Sequence, residues 1–126
     1  MSRRMAYRLI GVALVLMLLV GGWYWLTPKG TGEFRTSPDG RFTARASNMS
    51  TASPFGSPRR YIKIEVVEAS SGREVWRIVH RFSAEADLTD VPDYGSQAEK
   101  FLLWSADSSS VTVPVDGGRR LVLNVP

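Results

Sequence analysis

Residues Tyr61–Phe82 read YIKIEVVEASSGREVWRIVHRF, and their spacing decides the fold class. In the first half, Ile62, Ile64 and Val66 fall on one side of an extended chain, with Lys63 and Glu65 on the other. In the second half, Trp76, Ile78, His80 and Phe82 alternate with Val75, Arg77, Val79 and Arg81. A period of two, β-branched and aromatic residues at the repeating positions, and Ser70-Ser71-Gly72 between the halves predict two strands joined by a tight turn.

Working outward, the same signals recur. Gly32–Thr36, Arg41–Ser47, Phe101–Trp104, Val111–Val115 and Leu121–Val125 are further strands. Ser37-Pro38-Asp39-Gly40 joins the first two, because proline presets φ near −65° and glycine accepts a positive φ. Asp107-Ser108-Ser109 and Asp116-Gly117-Gly118 close the last two hairpins. The expected fold is therefore all-β, an antiparallel meander of about seven strands forming a small sandwich or open sheet. Two stretches are expected as loops, Asn48–Pro58 and the long acidic Ser83–Glu99. Pro114, near a strand end, predicts an edge or bulge. Nine aromatics lie beyond Leu26, and Trp76, Phe82, Phe101 and Trp104 are the candidate centre of the core.

The N-terminal part has another character. Leu9–Leu26, LIGVALVLMLLVGGWYWL, holds eighteen residues without a charge. As a helix it measures about 27 Å, close to the ~30 Å hydrocarbon layer of a bilayer. Trp23, Tyr24 and Trp25 at its end are suited to the membrane interface. Arg3, Arg4 and Arg8 precede it, so the positive-inside rule predicts a cytoplasmic N-terminus and an exported C-terminal domain. The domain organisation expected is a basic N-terminus (1–8), a spanning signal anchor (9–26), a stem (27–32) and an extracytoplasmic β-domain (33–126). A cleaved signal sequence is the alternative, since Gly21 and Gly22 follow the apolar run. The chain has no cysteine, which excludes lipid attachment at such a site and agrees with a disulfide-free exported domain.

The formal net charge is +4, yet beyond Leu26 there are 13 Lys and Arg against 12 Asp and Glu. The basicity is thus mostly a topology signal, and no nucleic-acid partner is expected.

The turns carry a resemblance. Ser37-Pro38-Asp39-Gly40, Ser71-Gly72-Arg73-Glu74-Val75 and Trp104-Ser105-Ala106-Asp107-Ser108 make the chain similar to the WSPDG-type blades of TolB-like β-propellers. The resemblance implies one blade over Gly32–Phe82 and three strands of a second over Phe101–Val125. Thr36 replaces the tryptophan of the first turn, and Ala106 and Ser108 replace proline and glycine in the second. About 100 residues cannot close a propeller, which needs at least about four blades of roughly 40 residues.

Groups suited to catalysis are few. A single histidine and no cysteine leave no His/Cys zinc spacing, and no G-x-S-x-G turn accompanies His80. His80 shares a strand face with three large apolar residues and is expected to be half-buried and structural. No cofactor is expected. Asp87, Asp90 and Asp93 form a weak calcium candidate, lacking the D-x-D-x-D-G spacing of a calcium loop. With Tyr94 they are also the candidate partner contacts of the long loop. Asn48-Met49-Ser50 fits the N-glycosylation pattern and predicts an exposed asparagine.

Together these features predict a non-enzymatic, single-pass membrane-anchored protein whose outer β-domain binds an envelope or secreted protein. The alternatives are a hydrolase using His80 or the loop carboxylates, and a subunit completing a larger propeller.

Overall fold

A computed structural model describes residues 3–53, 55–56, 59–82, 91–95 and 101–126. The chain divides into two compact units, one of residues 1–28 with 51–59 and one of residues 29–50 with 60–126.

In the first unit, helix α1 runs Arg3–Leu26, starting well before the apolar stretch. Its 24 residues measure about 36 Å, and none is buried. It is long and apolar enough to cross a membrane. Thr27 ends it: its N–H donates to the Trp23 carbonyl at 3.0 Å, and its hydroxyl donates to the same oxygen at 2.7 Å. Pro28 cannot continue the helix.

The second unit holds the expected seven strands in two sheets. Strands β1 (Lys29–Thr36), β2 (Phe42–Thr51), β3 (Arg59–Glu68) and β4 (Glu74–Arg81) form a four-stranded sheet in that order. Strands β5 (Leu103–Trp104), β6 (Ser110–Pro114) and β7 (Arg120–Asn124) form a three-stranded sheet. The stem shrinks to Thr27 and Pro28, because Lys29–Gly32 pair with Ser47–Ser50. Gly30 permits that pairing, since a Cβ there would overlap the Asn48 carbonyl.

Both sheets contribute to one core. Phe42, Ala44 and Ala46 of β2 and Ile62, Ile64 and Val66 of β3 are buried with Val111 and Val113 of β6 and Leu123 of β7. Leu102, Val115 and Tyr94 complete it. The alternation seen in Tyr61–Val66 thus becomes the inner face of the four-stranded sheet, and the fold is a small sandwich. The expected core aromatics are displaced outward. Phe82, Phe101 and Trp104 pack against the core from its rim, while Trp76 is 38% exposed. Trp76 faces inward opposite Val66, but β4 is the edge strand of a four-stranded sheet covered by only three strands. The centre of the core is aliphatic, with Phe42 and Tyr94 as its fully buried rings.

Candidate functional site

Two matching turns join β1 to β2 and β5 to β6. At Ser37–Phe42 the Ser37 N–H donates to the Phe42 carbonyl (2.8 Å), and the Gly40 N–H donates to the Ser37 carbonyl (2.9 Å). The Phe42 N–H donates to the Ser37 hydroxyl (3.0 Å), and the Arg41 N–H to the Asp39 carboxylate (3.0 Å). At Ser105–Ser110 the same four bonds recur between residues 68 positions later, at 2.9, 3.0, 3.0 and 3.1 Å. Gly40 at φ 74° is matched by Ser108 at φ 60°, a non-glycine residue in the left-handed region. The two turns also touch, with the Asp39 N–H donating to the Ser108 hydroxyl at 3.1 Å. The Ser37 hydroxyl, followed by the Arg41 N–H, holds the Asp39 carboxyl below its usual range. The hydroxyls of Ser105 and Ser109 lower Asp107 to about 2. These are structural carboxylates.

A second polar cluster lies where β4 meets the 3-10 turn Asp116–Gly118 between β6 and β7. His80 Nε2 lies 2.5 Å from Asp116 Oδ1, and Arg119 donates to the same oxygen at 2.7 Å. Burial works against ionisation of Asp116, but the bonds from His80 and Arg119 hold its carboxyl below the usual range. His80 is half-buried, its ring meeting Phe82 edge-on at 5.6 Å between centroids. Among the described residues no serine or threonine hydroxyl hydrogen-bonds to the imidazole. The pair ties one sheet to the other, as does the Trp76 indole N–H donating to the Asn124 carbonyl at 2.7 Å.

Strands β1 and β4 are the two edges of the four-stranded sheet. Along β1, the Arg35 carbonyl accepts the Trp104 indole N–H at 3.0 Å. The Glu33 carboxylate accepts the Phe101 N–H at 3.0 Å and pairs with Arg35 at 2.8 Å. Along β4 the alternation follows from the bond between the Phe82 N–H and the Arg60 carbonyl. In the register Ile62↔His80, Ile64↔Ile78 and Val66↔Trp76, those three β4 residues turn their backbone groups to β3. Arg77, Val79 and Arg81 turn theirs outward, and among the described residues no strand pairs with that side. On the outer face, Arg77 reaches Glu74 (2.7 Å) and Glu65 (3.8 Å), and Lys63 reaches Glu65 (2.9 Å).

The long loop gives a different picture from the expected contact surface. Asp87 and Asp90 lie outside the described residues, and Asp93 is exposed. Tyr94 is fully buried, so it is an anchor and not a partner contact. Its hydroxyl donates to the Pro114 carbonyl, and its ring meets Phe101 edge-on at 5.6 Å. Burial, with the Glu33 charge, pushes the phenol well above its usual range. Bonds from the Val115 N–H to Arg119 and from the Val125 N–H to Ser109 direct the even-numbered β6 residues toward β5. Beyond the two-residue β5 no strand among the described residues pairs with that side of β6; proline there lacks a donor, and Tyr94 takes its acceptor. Among the described residues no three His, Asp or Glu side chains converge as a metal site would require. Asn48 is not on an exposed loop. It lies within β2, and its amide donates to the Pro92 carbonyl, so the glycosylation reading is corrected.

Spacing alone placed His80 and Trp76 on the inner face, which is where they lie. It missed Tyr94, Glu33 and Asp116, whose partners are 20 to 68 positions away. No family model matches the chain, and no curated protein or solved structure matches it either.

Proposed function

We propose that this protein is a single-pass membrane-anchored binding protein whose β-domain, exported across the membrane, captures an extended segment of another envelope or secreted protein. The observation that carries this reading is the outer edge of β4: eight residues with outward backbone donors and acceptors at Arg77, Val79 and Arg81 and no strand beside them among the described residues. Such an edge is a template for strand addition, in which main-chain bonds give affinity and alternate side chains give selectivity. Helix α1 and the basic residues Arg3, Arg4 and Arg8 support the anchor and its orientation.

The charged outer face formed by Lys63, Glu65, Glu74 and Arg77 favours a free-standing domain over a subunit completing a larger propeller, where neighbouring blades stack on both faces. The Asp116 oxygen shared by His80 and Arg119 favours a structural histidine over a hydrolytic one.

The test is in-cell photo-crosslinking from a reactive side chain at Val79, compared with one at Thr112 on the other sheet. Adducts to a discrete protein at position 79 only, abolished by Val79→Pro with an unchanged melting curve, are the expected result. Proline removes the outward N–H and leaves the β3 ladder intact. Identical adducts from both positions, or adducts indifferent to Val79→Pro, would refute strand capture.

A further inference from the structure

The four-stranded sheet is longer than the sheet that covers it. Strands β1 to β4 have 8 to 10 residues, whereas β5 to β7 have 2 to 5. At the end of the sheet where Lys29 pairs with Ser50, no strand among the described residues roofs the inner face, and a cleft of about 490 Å³ opens there. That volume lies in the range of small-molecule sites, roughly 300–1,000 Å³.

The residues on this overhang break the pattern of the inner face. On β2 the buried series Phe42, Ala44, Ala46 is continued by Asn48, and on β3 the series Val66, Ile64, Ile62 is continued by Arg60. Lys29 lines the same cleft from β1. Arg60, on the strand beside β2, thus brings a guanidinium to this opening, a group suited to a phosphate or carboxylate. Phe82 and Val91 supply an apolar wall. Asn48 adds a demand of its own. Its amide N–H is used by Pro92, but its Oδ1 is buried and has no hydrogen-bond partner among the described residues. A buried acceptor left unpaired is costly and calls for a donor.

The position of the cleft along the chain limits what reaches it. Lys29 follows Leu26, the last residue of α1, by three residues, at most about 10 Å of extended chain. The headgroup layer of a bilayer extends roughly 5–7 Å beyond the hydrocarbon. We propose that this cleft binds an anionic phospholipid headgroup bearing free hydroxyls, of the phosphatidylglycerol type. Arg60 holds the phosphate, a glycerol hydroxyl donates to Asn48 Oδ1, and Phe82 and Val91 flank the glycerol backbone.

The proposal rests on α1 being a membrane anchor, and the experiment separates the two. The full chain, in detergent micelles, is examined by native mass spectrometry with phosphatidylglycerol, phosphatidic acid, phosphatidylcholine or inorganic phosphate added. Flotation with vesicles is measured in parallel. Phosphatidylglycerol is expected to be retained over phosphatidic acid, and phosphatidylcholine not at all. Arg60→Gln should lower retention by about tenfold or more, the loss expected for one charge-assisted contact, and Arg60→Lys should restore part of it. Circular dichroism of each variant reports that the sheet is intact. Equal retention of phosphatidylglycerol and phosphatidylcholine, indifference to Arg60→Gln, or occupancy by inorganic phosphate with no lipid preference would overturn the proposal. Equal retention of phosphatidic acid would overturn the role given to Asn48. If the chain fails to float with vesicles, the anchor reading fails instead.

Discussion

Ser37→Ala and Ser105→Ala remove the same hydroxyl from two copies of one turn, and the structure requires them to differ. Ser37 is 4% exposed, and its hydroxyl accepts the buried Phe42 N–H at 3.0 Å. Truncation leaves that donor without a partner in a place water does not reach, a cost of about 1–3 kcal/mol. In a domain of about 100 residues each kcal/mol moves the melting temperature by roughly 4–8 °C, so a fall of roughly 5–20 °C is expected. Ser105 makes the equivalent bond to the Ser110 N–H at 3.0 Å, but that donor is only part-buried. Water replaces the hydroxyl there, and the cost is limited to about 0.5–1.5 kcal/mol. Both variants are read by thermal unfolding of the full chain in micelles, monitored by tryptophan fluorescence, with urea titration as a second measure. If Ser105→Ala costs as much as Ser37→Ala, burial is not what sets the value of these bonds and the argument is refuted.

Three further outcomes follow from the same geometry. Asp107 has a folded pKa of about 2 against an ordinary 3.8, so its stabilising contribution is complete above about pH 4 and is lost as pH falls toward 2. The urea midpoint should drop across that window, and drop less in Asp107→Asn. Tyr94→Ala should cost about 3–5 kcal/mol and exceed Trp76→Ala, because the phenol is fully buried and the indole is not; comparable urea midpoints for the two would contradict the burial assigned here. Tyr94→Phe should cost only about 0.5–1.5 kcal/mol, the worth of the bond to Pro114, as measured by the same titration.

Local spacing carried most of the fold. The alternation in Tyr61–Phe82 gave the inner face of β3 and β4, and the turn residues divided the chain into its seven strands. Two kinds of information were not local. The extent of β2 depended on β1, since the polar residues Asn48–Thr51 read as loop until Lys29–Gly32 are seen paired with them. The rank of aromatics in the core depended on how many strands cover each position. Trp76 has the right phase but sits under an uncovered edge, whereas Tyr94, in a stretch with no periodicity, fills the centre. The candidate site was less legible still. The β4 edge, unpaired among the described residues, is visible only once β1 is known to be the opposite edge, and the overhang with Arg60 only once the two sheets are known to differ in length.

The division of the core between two sheets also sets a timetable. All four strands of the first sheet are complete by Arg81, and the residues that cover it, Val111 and Val113, come thirty and more positions later. At a synthesis rate of roughly 5–20 residues per second, Ile62, Ile64 and Val66 emerge about 2–10 s before their partners. During that interval a sheet with one bare aliphatic face and two free edges exists at the exit of the ribosome or translocation channel. A chain halted before Ser110 is therefore expected to be held by chaperones or to aggregate, and release of the last hairpin is the step that makes the domain soluble.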